Sequence, residues 1–241
     1  MKQQLATLAL ALSAALPAFA QEAAAPVDPL SFNVSVTTDY RYRGISQTRL
    51  KPALQGGADY ASPSGFYIGA WGSTIKWIKD AGGDAPAEVD VYAGYKTEVS
   101  KDLLLDVGVL QYYYSKNKLN PSANTLELYG ALTAGPVTGK LSYSTSNLFG
   151  FADSKGSLYL DLSASFDLGD GLMLTPHLGR QEVRHNKTYS YTDYSLALSK
   201  DFSGLVVSGA VIGTDTDAYV GGPSSKNLGK AGLVLSLKKS F

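Results

Sequence analysis

The sequence predicts an all-β fold: an antiparallel up-and-down transmembrane β-barrel of about twelve strands, with ten as the competing count. Three observations predict it. Short stretches of alternating apolar and polar residues recur from Phe32 to the terminal Phe241. The connections between them are alternately tight and long. Outer-membrane barrels sort their loops in this way, with short turns on the periplasmic side and longer loops outside. Finally, the chain opens on a secretory signal and closes on an aromatic residue.

The signal reads plainly. Lys2 supplies the positive start, Leu5 to Leu16 a short apolar stretch, and Ala18-Phe19-Ala20 a small-residue cleavage site. Residues 1–20 are therefore expected to be removed, 21–31 to form a short periplasmic segment, and 32–241 to form the barrel, with both termini periplasmic. No stretch reaches the roughly 20 apolar residues of a membrane-spanning helix. The chain carries 21 basic and 21 acidic residues. Cleavage removes Lys2 alone among them, so the mature protein is close to neutral, which argues against a nucleic-acid partner. Cysteine is absent, which excludes thiolate metal sites and disulfides. Sixteen tyrosines and 25 glycines with only 44% apolar residues suit a protein with one greasy and one wet face.

Side chains alternate across a strand, so odd and even positions separate two environments. In the first segment Phe32, Val34, Val36, Thr38, Tyr40 and Tyr42 oppose Asn33, Ser35, Thr37, Asp39, Arg41 and Arg43. In the fourth, Val89, Val91 and Ala93 oppose Glu88, Asp90 and Tyr92; in the eighth, Leu158, Leu160 and Leu162 oppose Tyr159, Asp161 and Ser163. In the last, Leu233, Leu235 and Leu237 lead to Phe241, with Lys239 interrupting the apolar row. The other segments fall near 52–62, 65–73, 103–113, 125–134, 137–146, 172–183, 191–199 and 205–212. Segments 65–73 and 205–212 are apolar on both faces in places. Pro176 cannot donate a ladder hydrogen bond, so a bulge or a late strand start is expected in 172–183.

The polar face carries the candidate lumen-lining residues Arg41, Arg43, Glu88, Asp90, Lys96, Glu98, Asp106, Glu127, Lys140 and Asp161, together with Lys238. So many charges of both signs would be costly in a dry core. Two homes remain open: a hydrated lumen with a through path, or an interior zipped shut by those same pairs. Arg41 and Arg43 are expected to face inward near the outer end of the first strand. There they would either favour anions or pair with carboxylates such as Asp39, Asp59, Glu88 or Asp90. Gly44, Gly56 and Gly57 are expected at a turn, at a bulge, or where a loop packs inside the mouth.

One stretch does more than alternate. Asp39-Tyr40-Arg41-Tyr42-Arg43-Gly44-Ile45-Ser46-Gln47-Thr48 is followed by Pro52-Ala53-Leu54-Gln55-Gly56-Gly57, by Asp59-Tyr60 and by Gly65-Phe66-Tyr67-Ile68-Gly69 with Trp71. Glu88-Val89-Asp90-Val91-Tyr92-Ala93-Gly94-Tyr95 and Glu127-Leu128-Tyr129-Gly130 come later. Together these resemble the TorF-type proteins, a proteobacterial family of unknown function called porins by analogy. The resemblance spans the mature chain and is densest over 38–98. It implies an outer-membrane barrel and no established substrate. The terminal Phe241, with Leu237, Leu235 and Leu233 at alternate positions before it, resembles the signal that hands such barrels to their assembly machinery.

Catalytic chemistry is thinly represented. His177 lies in the segment with Pro176, and His185 in a predicted loop; neither defines a Ser–His nucleophile pair or a metal site by spacing. Asp215 and Asp217 fit a solvated acidic loop better than a cation site. Tyr112-Tyr113-Tyr114 reads as part of an interface belt, or as a ledge for a stacked ring. No enzyme activity, cofactor or metal is expected. The expected partners are outer-membrane lipid, small hydrophilic solutes and the barrel assembly machinery. The leading function is passive or weakly selective diffusion through an outer-membrane channel. A non-conducting structural or surface-binding barrel competes with it, and ordered loops in the lumen would favour that reading. A soluble periplasmic ligand-binding barrel is a third reading, which would turn Val34, Val36, Leu158 and Leu160 inward.

Overall fold

The computed structural model describes residues 29–241. The signal peptide and most of the 21–31 segment lie outside the described residues. Twelve strands run in order around one closed antiparallel sheet: β1 (Leu30–Thr37), β2 (Ala53–Ala61), β3 (Phe66–Thr74), β4 (Ala87–Ser100), β5 (Leu103–Tyr113) and β6 (Thr125–Ala134), then β7 (Val137–Ser144), β8 (Leu158–Ala164, resuming at Phe166–Asp167), β9 (Leu172–Glu182), β10 (Tyr191–Phe202), β11 (Leu205–Thr214) and β12 (Gly232–Ser240). Each strand pairs with its sequence neighbours, and β12 returns to β1 in the register Val36 opposite Leu237. The last residue completes the seam: the Phe241 N–H donates to the Phe32 carbonyl at 2.9 Å, and the Phe32 N–H donates back at 3.1 Å. Closure leaves no free sheet edge, so every spanning strand has both neighbours.

Loop parity follows the sequence. One end of the barrel carries tight turns, including Ser62 to Gly65, where Gly65 adopts φ +97° and an added Cβ would stand 2.3 Å from the Lys96 carbonyl oxygen. The other end carries the long connections. The outward rows are apolar as predicted: Val34, Val36, Val91, Leu158, Leu160 and Leu196 all stand exposed, Leu160 at 56%. This rules out the inverted arrangement, which placed the same valines and leucines inside. Lys239 sits in the outward row at the tight-turn rim, and its ammonium reaches the Ser203 carbonyl at 3.3 Å, so a long stem lies on the wall and the charge finds an acceptor.

Three expectations need correction. The first strand ends at Thr37, not near residue 42, because the chain turns into the barrel after Thr38, whose N–H makes the last bond to Leu235 at 2.9 Å. Pro176 causes neither a bulge nor a late start. β9 runs unbroken beside β10, with Pro176 opposite Leu196. Instead the ladder with β8 opens, because Pro176 has no N–H to offer; β8 breaks at Ser165, whose N–H donates to the Pro136 carbonyl at 2.9 Å. Gly56 and Gly57 lie in regular register in β2, opposite Gly72 and Trp71. Their role is close approach rather than turning: a Cβ on Gly57 would stand 3.1 Å from the Ala70 carbonyl oxygen.

The doubly apolar stretches find partners inside. On the β10–β12 side, Ala197, Ala210, Ile212 and Val234 form a small buried apolar patch. At the long-loop end a larger cluster joins Tyr40 and Tyr42 to Ile75, Ile78, Tyr112, Tyr114 and Ala123. Ile78 belongs to a one-turn helix, Trp77–Asp80, in the connection between β3 and β4.

Candidate functional site

The centre of the molecule is the connection between β1 and β2. Residues 39–48 are buried without interruption, and they form a miniature hairpin in which Arg41–Tyr42 pairs with Ile45–Ser46. Its turn is Arg43-Gly44, both at positive φ, +45° and +80°. Glycine is required at the second position: an added Cβ would lie 2.6 Å from Thr214 Cγ2 and 2.7 Å from Asp193 Cβ.

Asp39 organises the hairpin's base. Its carboxylate accepts from Ser46 Oγ at 2.5 Å, from Thr48 Oγ1 at 3.1 Å and from Arg41 Nε at 2.8 Å. The Gln47 N–H donates to the Tyr40 carbonyl at 2.7 Å, closing the base. A short acceptor side chain with hydroxyl donors seven and nine residues on offers the backbone an alternative to the sheet ladder. That local competition stops β1.

From this base the hairpin reaches wall to wall. Tyr40 Oη and Tyr114 Oη both donate to Glu88 on β4, at 2.5 and 2.6 Å. Tyr42 Oη donates to Tyr112 Oη on β5 at 2.7 Å. Arg43 Nη2 meets Glu127 Oε2 on β6 at 2.7 Å, and Arg43 Nη1 donates to Gln181 Oε1 on β9 at 2.6 Å. The same guanidinium lies over the Tyr159 ring of β8, 4.0 Å from its centroid. Arg41 Nη1 donates to the carbonyls of Ile212 at 3.2 Å and Lys230 at 2.8 Å. The hairpin thus bridges opposite sides of the barrel.

A lid covers it on the long-loop side. Lys76 and Trp77 N–H groups both donate to the Gln47 carbonyl, at 2.8 and 3.2 Å, and the Ser46 N–H donates to the Leu228 carbonyl at 2.9 Å. Phe149 packs edge-on against Tyr42 and Tyr112, with centroids 5.4 and 5.1 Å apart. Farther out, Lys118 Nζ stands 3.2 Å from Asp84 and, by its hydrogen bond and its charge, holds that carboxyl below the usual range.

The other predicted lumen residues divide by depth. Asp106 accepts from Tyr67 Oη at 2.6 Å and faces Lys96 at 3.6 Å. Lys140 places its ammonium 4.1 Å over the Tyr129 ring. Asp161 meets His177 Nε2 at 2.8 Å, and His177 Nδ1 lies 3.6 Å from Asp193. Lys238 is partly buried on the inward row. Asp90 is 2% exposed, and its Oδ1 is enclosed without a hydrogen-bond partner. Glu98 departs from the group: it is exposed where β4 meets its tight turn, at an irregularity in the β4–β5 register.

Sequence reasoning therefore found most of the inward charges but misplaced three: Glu98, exposed at the rim, and the two arginines of the hairpin. Arg41 and Arg43 sit on no barrel strand, and each faces a carboxylate, so their field is already answered. Within the tyrosine triplet only Tyr113 points outward; Tyr112 and Tyr114 are buried against the hairpin and Glu88. Asp193 and Gln181 escaped notice, and Tyr159 was placed on the inward face without being singled out. The alternation of Tyr191, Asp193 and Ser195 within β10 held the signal for Asp193. His185 Nδ1 lies 2.9 Å from the Asp153 carbonyl, and Asp215 accepts from the Thr192 N–H at 2.8 Å; both contacts tie connections together.

A closed twelve-stranded antiparallel barrel with a loop folded into its interior is the class of protein these residues define. The chain belongs to the family described as "Bacterial protein of unknown function (Gcw_chp)", whose model matches residues 20–241. No curated protein matches it in sequence. Among solved structures it is similar to "KdgM porin", at TM-score 0.56 and 10% identity, covering 88% of this chain and 99% of that one. It is equally similar to the NanC porin, at TM-score 0.57 and 10% identity, covering 88% and 98%. A further KdgM structure, "in complex with disordered oligogalacturonate", matches at TM-score 0.56 and 9% identity, covering 88% and 98%. At such identities the likeness concerns the fold.

Proposed function

We propose that this chain is an outer-membrane barrel of the porin type, closed at rest by its own first loop, which passes small hydrophilic solutes when the hairpin leaves the lumen. The observation that carries this reading is the buried hairpin 39–48, pinned to opposite walls by Tyr40–Glu88 and Arg43–Glu127. Below it, toward the tight turns, the interior carries the polar groups Lys96, Asp106 and Lys140 on its walls. The exposed apolar rows support a membrane setting, since a continuous band of that kind is not left facing water.

Several finer statements belong to the same reading: TorF-type affiliation, cleavage after Ala20, termini on the periplasmic side, and recognition of Phe241 by the assembly machinery. The proposed role is transport, not catalysis. Anion selection by Arg41 and Arg43 is not part of it, because each is already paired.

A second reading is a barrel that never conducts. The apolar lid of Ile75 and Ile78 favours it, since both are fully buried in the cluster that holds Tyr40 and Tyr42. Single-channel recording in a planar bilayer decides. The gated reading expects long closed periods with discrete openings, and a higher open fraction when Arg43 is replaced by Ala. Silence from folded protein, unchanged by Arg43→Ala, supports the permanently closed barrel. A steady large current in the unaltered protein overturns both.

A further inference from the structure

A cleft of about 320 Å³ opens at the long-loop rim, between the first connection, the start of the one joining β3 to β4 and the one joining β11 to β12. Its volume falls at the lower end of the range of small-ligand sites, about 300–1,000 Å³. Arg49, Lys51, Lys76 and Lys226 line it, and no carboxylate does. Asp80, beside the lining residue Gly221, accepts from Arg49 Nε at 2.8 Å, so that guanidinium is both neutralised and positioned. Lys51, Lys76 and Lys226 are exposed, and none forms a salt bridge within the described residues. Three cations lining one concavity repel one another. A ligand of opposite sign would relieve that repulsion.

Two tight turns face each other across the cleft. Arg49 and Leu50 follow each other at φ +59° each, and the facing turn holds Gly222 at +74° and Ser225 at +47°. Here the two turns present their basic side chains to one space.

Position narrows the chemistry. Pro52 and Thr74, at the start of β2 and the end of β3, form part of the cleft wall. Thr74 continues the outward row of Phe66, Ile68, Ala70 and Gly72, and Leu54 stands exposed beside it. The basic cleft therefore sits at the end of an apolar outer surface. An amphiphile lying along β2 and β3 would bring its polar group to this height.

We propose that the cleft binds a phosphate-bearing anion, held by Lys51, Lys76 and Lys226. The location favours the phosphorylated headgroup of a glycolipid in the surrounding leaflet, and a free phosphate would offer the same chemistry. The lipid source rests on the membrane reading given above; the anion site itself does not.

Two probes separate the cases. Lipid A is added to phosphatidylcholine nanodiscs carrying the folded protein, and bound lipid is read by native mass spectrometry. Inorganic pyrophosphate is titrated calorimetrically into the protein in detergent. Each is repeated with the combined Lys51→Gln, Lys76→Gln, Lys226→Gln variant and with the corresponding triple Arg variant. The expected result is binding weakened about tenfold or more in the Gln variant and retained with Arg. Lipid A binding alone assigns the headgroup, and pyrophosphate binding alone assigns a free anion. Binding of neither probe, or equal binding by the Gln variant, overturns the proposal. Protein that binds pyrophosphate yet refuses nanodiscs would sink the membrane reading while leaving the cleft's assignment intact.

Discussion

Arg43, at the tip of a hairpin inside the barrel, places Nη2 2.7 Å from Glu127 Oε2 on β6, 84 residues away in sequence, and both side chains are nearly sealed from solvent. Removing either partner leaves the other charge buried alone, which costs about 3–5 kcal/mol for such pairs. Arg43→Ala is therefore expected to lower barrel stability by that order, measured by urea titration of the folded protein in lipid vesicles. Arg43→Ala combined with Glu127→Gln should recover much of the loss. A single variant as stable as the parent would show that the pair does not hold the hairpin.

Gly44 tests the docking of the hairpin from the other side. Gly44→Ala must hold φ near +80° and place a methyl against Thr214 and Asp193. The αL penalty alone is about 1–2 kcal/mol, and overpacking adds about 1–3 kcal/mol. The hairpin should undock before the sheet unfolds. Limited proteolysis is expected to cut within 39–48 in the variant and to spare it in the parent.

Glu88 depends on two phenols. Tyr114→Phe removes one donor from a carboxylate that is 1% exposed, at an expected cost of about 1–3 kcal/mol. Replacing Tyr40 as well should cost more than the two single losses combined, because no donor then remains. Additive losses in the double-variant cycle would mean that Glu88 finds another partner.

The outward face gives a depth-dependent expectation. Arg at Val91 or Leu160, both exposed on the outward rows of their strands, should cost about 2–4 kcal/mol in a bilayer. Arg at Ser163, on the inward row near the tight-turn end, should cost far less. Equal costs at the two faces would remove the lipid-facing assignment.

At the loop tips the outcome reverses. Lys118→Ala removes the partner of Asp84, but both groups are solvent-exposed and water replaces the contact. The denaturation midpoint is expected to stay unchanged, and a clear shift would mean that the loops brace the lid more strongly than their exposure indicates.

The sequence by itself determined the barrel. Strand order, loop parity and the facing of Leu160 or Asp161 are all local quantities, whereas the strand number stayed between twelve and ten until the sheet closed. They follow from a two-residue period and from turn chemistry, and each can be read within a dozen neighbours. Even the inward charges were legible this way, because alternation assigns a side chain to a face without knowledge of what it meets there. The place of Arg41 and Arg43 was not legible. Their alternation continues smoothly from Val36, yet Asp39 captures Ser46 and Thr48, and the chain turns inward. Whether that turn is worthwhile depends on Glu88, Glu127 and Gln181 waiting on distant strands. Only closure of the sheet brings those groups within reach, so tertiary structure alone decided that the first loop fills the barrel.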